Sequence, residues 1–114
     1  MPAVSDELSR PALLDVTVDR GATSTTILLA GDLDPATAPT LAAAIDEVVA
    51  DPTVDALVLD LAGLAFVDSS GLRAFVTARE ALADRGTGLV LRNPSPNTRR
   101  LLDITGLGEI IAVE

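Results

Sequence analysis

The sequence predicts an α/β domain in which helices pack against a mixed β-sheet. Two observations lead to this prediction. Short apolar or alternating segments, which are typical of strands, are interspersed with longer segments whose apolar residues recur at helical spacing. The first two strand-like segments follow each other directly, and every later one comes after a helix-like segment, which gives the order β-β-α-β-α-β-α-β. Direct succession favours an antiparallel pair and intervening helices favour parallel pairs, so the sheet should be mixed.

The chain length suits one domain. The 114 residues are enough for one hydrophobic core and too few for two ordinary domains. Residues 1–12 are polar and proline-containing without apolar periodicity, so we predict a flexible N-terminal tail there and a single domain over residues 13–114.

The first two strands should form a hairpin. Apolar Leu14, Val16 and Val18 alternate with polar residues, which is the pattern of a strand with one exposed face. A glycine-containing turn follows at residues 20–22. Residues 24–30 are rich in β-branched and apolar side chains, and we predict that they pair antiparallel with the first strand.

The next segment should leave the sheet and begin a helix. Residues 31–34 read Gly-Asp-Leu-Asp, where glycine permits a backbone conformation that other residues oppose. Asp34 or Thr37 can cap the helix that follows, and Pro39 restricts its start to the first turn. We predict a helix over residues 37–50, ended by the Asp-Pro pair at residues 51–52.

A central strand and a second helix surround one polar turn. The apolar run within residues 54–61 suits a parallel strand covered on both faces. A further strand-like stretch at residues 64–67 leads into the turn at residues 68–71. Apolar residues then recur at helical spacing, so we predict a second helix over residues 70–85.

The last third of the chain repeats this pattern. Residues 89–91 should form the fourth strand. Ser95 is placed as the N-cap of a third helix, with Pro96 at its first position and Gly106 at its end. Residues 110–113 are apolar and should form a short last strand.

Composition removes several classes of function. Eight basic residues stand against seventeen acidic ones, so the net charge of −9 makes direct binding of nucleic acid unfavourable. All eight basic residues are arginine, and the absence of His, Cys and Lys removes the usual nucleophiles, zinc ligands and Schiff-base chemistry. We therefore expect a protein without a cofactor that is not an enzyme. No apolar run is long enough to cross a bilayer, so we expect no membrane association and a cytoplasmic location.

The turn at residues 68–71 is the main candidate site. It places Asp68, Ser69 and Ser70 at the start of a helix, where backbone N–H groups and the helix dipole favour negative charge. The local interpretation is that one of these side chains caps the helix. The functional interpretation is that the turn receives an anion.

Three motifs in this sequence resemble the STAS domains, in particular the bacterial anti-sigma factor antagonists. One is the segment Phe66-Val67-Asp68-Ser69-Ser70-Gly71-Leu72. Upstream lies Gly31-Asp32-Leu33-Asp34, followed by Thr37 and Leu41. Downstream, Ser95-Pro96 precedes Arg100-Leu101-Leu102-Asp103 and Gly106-Leu107. The resemblance implies the STAS fold, in which one more helix usually follows the last strand; this sequence has no segment for it.

The resemblance also implies a phosphorylation switch. In that family the serine directly after the motif aspartate is phosphorylated by the partner, an anti-sigma factor that is itself a kinase. This serine corresponds to Ser69, with Ser70 as the alternative. The unphosphorylated protein would bind the kinase and release a sigma factor, and a serine phosphatase would reverse the modification. A phosphate adds about −1.5 to −2 charges beside acidic residues, so it should weaken binding of the partner.

Neighbouring residues receive both structural and functional interpretations. Asp68 either forms the turn or positions the serine hydroxyl. Asp34 fits a helix cap, whereas the resemblance implies contact with an arginine of the kinase. Gly71 should permit close backbone approach. Together with Ser69 and Ser70, these residues form the predicted partner-binding surface.

Two other functions remain open at the level of sequence. A STAS scaffold in a transport, lipid-trafficking or sensory complex would bind one partner constantly, without a phosphate switch. A receiver-like domain that accepts phosphate on Asp60 is disfavoured, because receiver domains depend on a lysine that this chain lacks.

Overall fold

The computed structural model describes residues 13–114, and within them the predicted order of elements is confirmed. The predicted tail at residues 1–12 lies outside the described residues. The strands are β1 (Leu14–Arg20), β2 (Ser24–Leu33), β3 (Ala56–Val67), β4 (Gly88–Arg92) and β5 (Ala112–Val113). The helices are α1 (Ala38–Val49), α2 (Ser69–Ala83) and α3 (Pro96–Thr105), followed by a 3₁₀ turn at Leu107–Glu109.

The five strands form one mixed sheet in the order β1-β2-β3-β4-β5. β1 and β2 are antiparallel, as expected for a hairpin, and each of the other neighbouring pairs is parallel. Since α1 and α2 each follow one parallel strand and lead into the next, both helices begin at the same edge of the sheet. The carboxyl ends of β2 and β3 therefore lie beside the first turns of α1 and α2.

β2 is longer than the sequence analysis predicted. Residues 31–33 were expected to leave the sheet, but they continue its pairing, with Leu33 opposite Val67 of β3. Gly31 has φ of 116° and still belongs to the strand. A Cβ at this position would lie 2.0 Å from the Leu13 carbonyl oxygen, so glycine allows the chain before β1 to pass close to β2.

β3 is one continuous strand that contains two bulges. Pairing with β2 advances from Asp60 to Gly63 while β2 advances by two residues, and from Leu64 to Phe66 while β2 advances by one. Each shift adds one residue to β3. As a result, the buried residues Leu61, Leu64 and Val67 are three positions apart, and two outward-facing residues stand between successive members.

The expectation that the central strand is covered on both faces is wrong. In the first half of β3, buried leucines alternate with half-buried residues such as Val58 and Asp60. The cross-strand partner of Val58 on β2, Thr26, is half-buried, and Leu28 beside Asp60 is 40% exposed. The apolar run of β3 therefore reflects one fully buried face and one face that is only half covered.

Helix boundaries follow the predicted caps closely at α3 and less closely elsewhere. The Ser95 side chain accepts a hydrogen bond from Thr98 N, and Gly106 ends α3 with φ of 78°. The predicted strand at residues 110–113 is shortened to β5, because the 3₁₀ turn uses Leu107–Glu109 and its closing bonds engage the amides of Ile110 and Ile111.

One arginine connects the ends of α1 and α2. The Arg85 guanidinium, just beyond α2, donates hydrogen bonds to the backbone carbonyls of Val49, Asp51 and Val54, the last two at 2.7 and 3.2 Å. These carbonyls lie at the end of α1 and in the loop before β3, where no helical partner is available. We call residues 49–54 and 85–87 the closed end of the helix pair.

Candidate functional site

Asp68 starts α2 and occupies the amides of its first turn. Its Oδ1 accepts hydrogen bonds from Ser70 N at 2.8 Å and from Gly71 N at 3.3 Å. The backbone of Asp68 is extended, as an N-cap requires. The sequence analysis expected free N–H groups here, and that expectation is wrong for these two amides, because the Asp68 carboxylate already satisfies them.

The two candidate serines differ in exposure. Ser69 is the first residue of α2 and is exposed, whereas Ser70 is half-buried. Within residues 13–114, the Ser69 side chain forms no hydrogen bond. Its hydroxyl is therefore accessible to a macromolecular partner, and access to Ser70 is more restricted.

Asp34 lies in the adjacent loop between β2 and α1. Its Oδ1 accepts hydrogen bonds from Ala36 N at 2.9 Å and from Thr37 N at 3.0 Å. Thr37 occupies the N-cap position of α1 but makes no side-chain cap; its hydroxyl instead donates to the Asp32 carbonyl. Asp34 thus stabilises this turn through one oxygen, and its Oδ2 accepts no hydrogen bond from the described part of the chain.

The two loops are held side by side by backbone contact. Asp68 N donates to the Leu33 carbonyl at 3.2 Å. A Cβ on Gly71 would lie 2.7 Å from Leu33 Cγ and Cδ2 and 3.0 Å from Val67 Cγ1, so the missing side chain allows α2 to approach the end of β2. This confirms the structural interpretation of Gly71. We call residues 33–37 and 67–71 the acceptor end of the helix pair.

An exposed aromatic residue flanks the acceptor end. Phe66 is 50% exposed, although it lies in β3, because the second bulge turns it outward. Next to it, residues 65–67 and α3 line a cavity of about 240 Å³. The sequence analysis used Phe66 as part of a motif and gave it no contact role. Its exposure depends on the bulge, which alternation of residue types does not reveal.

Asp60 belongs to a different environment from the acceptor end. It pairs with Arg92 across the β3–β4 register, with 3.8 Å between Oδ2 and Nε, and its Oδ1 accepts from Ala62 N. This carboxylate is therefore engaged in ordinary strand-surface contacts.

Two searches of the described residues define what else the site lacks. Across residues 13–114, no three His, Cys, Asp or Glu side chains converge in a manner that could hold a metal ion. In the same part of the chain, no helix has both the length and the apolar character needed to cross a membrane.

Comparisons with known proteins give consistent matches. The STAS domain model matches residues 14–114. The anti-sigma-B factor antagonist of Listeria monocytogenes is 36% identical over 88 residues, which cover 77% of this chain and 76% of the relative. The anti-sigma F factor antagonist of Paenibacillus polymyxa is 30% identical over 87 residues, covering 76% and 74%. The crystal structure of an anti-sigma factor antagonist from Mycobacterium paratuberculosis is 35% identical, with a TM-score of 0.76, and the match covers 88% of this chain and 84% of that one.

Proposed function

We propose, because this chain belongs to the STAS domain family, that it is an anti-sigma factor antagonist controlled by phosphorylation of Ser69. In its unphosphorylated form it binds a kinase-type anti-sigma factor in the cytoplasm and thereby releases a sigma factor. The kinase transfers phosphate from ATP to the Ser69 hydroxyl, and a serine phosphatase removes it. The protein itself is a substrate and a binding partner, with no catalytic role.

The exposed Ser69 hydroxyl at the first position of α2 carries this proposal. A kinase must place the acceptor hydroxyl in line with the γ-phosphate, which requires an accessible side chain on a fixed backbone. Ser69 is exposed, while the next two amides are fixed by the Asp68 cap. Ser70 remains the alternative acceptor, although it is half-buried.

The electrostatics of the acceptor end support a loss of binding after phosphorylation. Because Asp68 already occupies the amides of Ser70 and Gly71, a phosphate on Ser69 would meet the carboxylate before it met a free donor. The added charge of about −1.5 to −2 would also lie on a strongly acidic protein. An interface that fits the neutral hydroxyl would therefore lose both contact and charge complementarity.

Asp34 supports recognition of a basic residue on the kinase. Its Oδ1 is used by the turn, and its Oδ2 accepts no hydrogen bond from residues 13–114, so a guanidinium could approach that oxygen without disturbing the turn. Such a charged contact at the edge of an interface would contribute to partner choice and to the rate of association.

The proposal is tested with Ser69→Ala and Ser70→Ala as a matched pair. Each variant is incubated with ATP and the purified kinase-type anti-sigma factors of the source organism, and phosphate is located by intact mass and peptide mapping. We expect one phosphate on wild type and Ser70→Ala, and none on Ser69→Ala. Phosphate on Ser69→Ala but not on Ser70→Ala would move the acceptor to Ser70.

Binding then distinguishes a switch from a constant scaffold. We expect Ser69→Ala to bind the kinase as wild type does, and Ser69→Asp to bind at least about tenfold more weakly because of the added charge. Equal affinities, together with no phosphate on wild type, would favour a STAS scaffold without a phosphate switch.

A further inference from the structure

We infer that the groove between α1 and α2 receives an apolar helix of the anti-sigma factor that phosphorylates Ser69. This inference rests on the proposed function and extends it to a second contact surface. The groove has a volume of about 520 Å³ and is lined on both walls by small apolar side chains, including Ala38, Ala42, Ala74 and Ala81. We call it the α1–α2 groove.

The alanines leave room for another element to approach. α1 and α2 are in contact through larger buried residues such as Ile45 and Phe75, which close the floor beneath the groove and belong to the core. Above this floor the walls carry methyl groups only at several positions, so the helix backbones stay accessible to a partner. Groove residues of α2 extend from Ser70 to Ala81, about 16 Å at the helical rise per residue, which suits three turns of a docked helix.

The groove is continuous with the acceptor end. Ser70 and Pro35 line its mouth, and they adjoin Ser69 and Asp34 in sequence. A kinase that reaches the Ser69 hydroxyl must cover this mouth, and its surface would then extend along the groove. This continuity distinguishes the groove from an isolated apolar patch elsewhere on the molecule.

Two charged residues define the chemistry of the occupant. Arg73 projects from α2 and Asp46 from α1, and both line the groove. Neither takes part in an ion pair within residues 13–114. The docked helix should therefore present an apolar stripe with an acidic residue toward Arg73 and a basic residue toward Asp46. A second copy of this chain is a poorer occupant, because two molecules with a net charge of −9 repel each other.

Ala42 and Ala43 provide a matched test of the groove. Both are exposed on α1, but only Ala42 lines the groove. We would make Ala42→Trp and Ala43→Trp, confirm their folding by circular dichroism, and measure their affinity for the purified kinase with a non-hydrolysable ATP analogue. We expect Ala42→Trp to lose about tenfold or more in affinity and Ala43→Trp to bind within about twofold of wild type.

A charge variant tests the same surface without filling it. Arg73→Glu should weaken binding by about tenfold, whereas Arg99→Glu, on exposed α3, should have little effect. Phosphorylation at saturating kinase should still occur on Ser69 in both proteins, because neither change touches the acceptor hydroxyl.

The outcomes separate the groove from the switch. If wild type binds and is phosphorylated but Ala42→Trp and Arg73→Glu behave like their controls, the groove inference is wrong and the proposed function stands. If wild type neither binds nor accepts phosphate, both fail. If sedimentation shows a wild-type dimer that only Ala42→Trp converts to monomer, the occupant is a second copy, and the inference is wrong.

Discussion

The two ends of the α1–α2 pair are held together in opposite ways. At the closed end, the long side chain of Arg85 crosses between elements and bonds to three carbonyls. At the acceptor end, the elements meet because Gly71 has no side chain and α2 can rest against Leu33. The polar side chains there, Asp34 and Asp68, bond to amides of their own loops.

This difference separates stability from accessibility. A bridging side chain fixes the closed end and leaves its polar groups satisfied. Backbone proximity fixes the acceptor end, so the side chain of Ser69 is not needed for any cross-element contact within the described residues and stays exposed. A group that changes its chemistry reversibly is best placed where the fold does not depend on it.

The largest effect is expected at the closed end. Arg85→Ala should lower the free energy of unfolding by about 2–3 kcal/mol, because several hydrogen bonds from a charged donor to partly buried carbonyls are lost. Urea denaturation measures this change. Arg79→Ala is the control, since Arg79 donates a single bond, from Nε to the Ile110 carbonyl, and should cost less.

The same variant also probes independence of the two ends. Folded Arg85→Ala should still be phosphorylated on Ser69 at the wild-type rate, as long as the measurement is made well below its melting temperature. A large fall in that rate with intact folding would show that the closed end positions the acceptor, and the comparison would have to be abandoned.

Gly71→Ala should have an intermediate effect on stability and a direct effect on the site. The added Cβ would overlap Leu33, which is fully buried, so we expect a loss of about 1–3 kcal/mol and a displaced first turn of α2. Denaturation and the rate of Ser69 phosphorylation should both change. Gly88→Ala is the control, because a Cβ at Gly88 meets nothing within 4 Å; equal behaviour of the two variants would contradict the close-packing argument.

The smallest effect concerns pH at the closed end. Hydrogen bonds from the Thr53 side chain and backbone, together with the positive charges of Arg20 and Arg85, lower the pKa of Asp51 below its ordinary value of 3.8. The ionised carboxylate therefore contributes stability above about pH 4, and this contribution is lost as the pH falls through the lowered pKa. The difference in stability between wild type and Asp51→Asn should shrink on acidification.

Salt provides the check on that prediction. The Arg20–Asp51 pair is exposed, with 3.4 Å between Nη1 and Oδ2, so added NaCl should reduce its part of the difference at neutral pH. A difference that grows on acidification would reverse the assigned sign of the pKa change.

Local signals in the sequence were sufficient for most elements and for part of the site. Ser95 and Gly106 bound α3 as predicted, because caps depend on neighbouring residues only. Asp68 was one of three candidate caps, and the backbone hydrogen bonds select it. The close-approach role of Gly71 was also predicted, although its contact partner was not.

Contacts between distant segments account for what the sequence did not reveal. Arg85 meets carbonyls more than thirty positions away, and no spacing rule connects them. The outward position of Phe66 depends on how β3 pairs with β2. The half-covered face of β3 escaped prediction because valine and alanine suit both buried and half-buried positions.

The two bulges in β3 make the position of the acceptor a matter of counting residues. β3 spends two more residues than β2 over their shared length, and side chains alternate direction along a strand. Deleting one of these residues, such as Ala65, would draw Ser69 back by about 3.3 Å and reverse the facing of whatever follows. Deleting both would restore the alternation but leave the serine about 7 Å short of its place. Variation in length between Leu61 and Ser69 should therefore be far less tolerated than variation in side-chain identity.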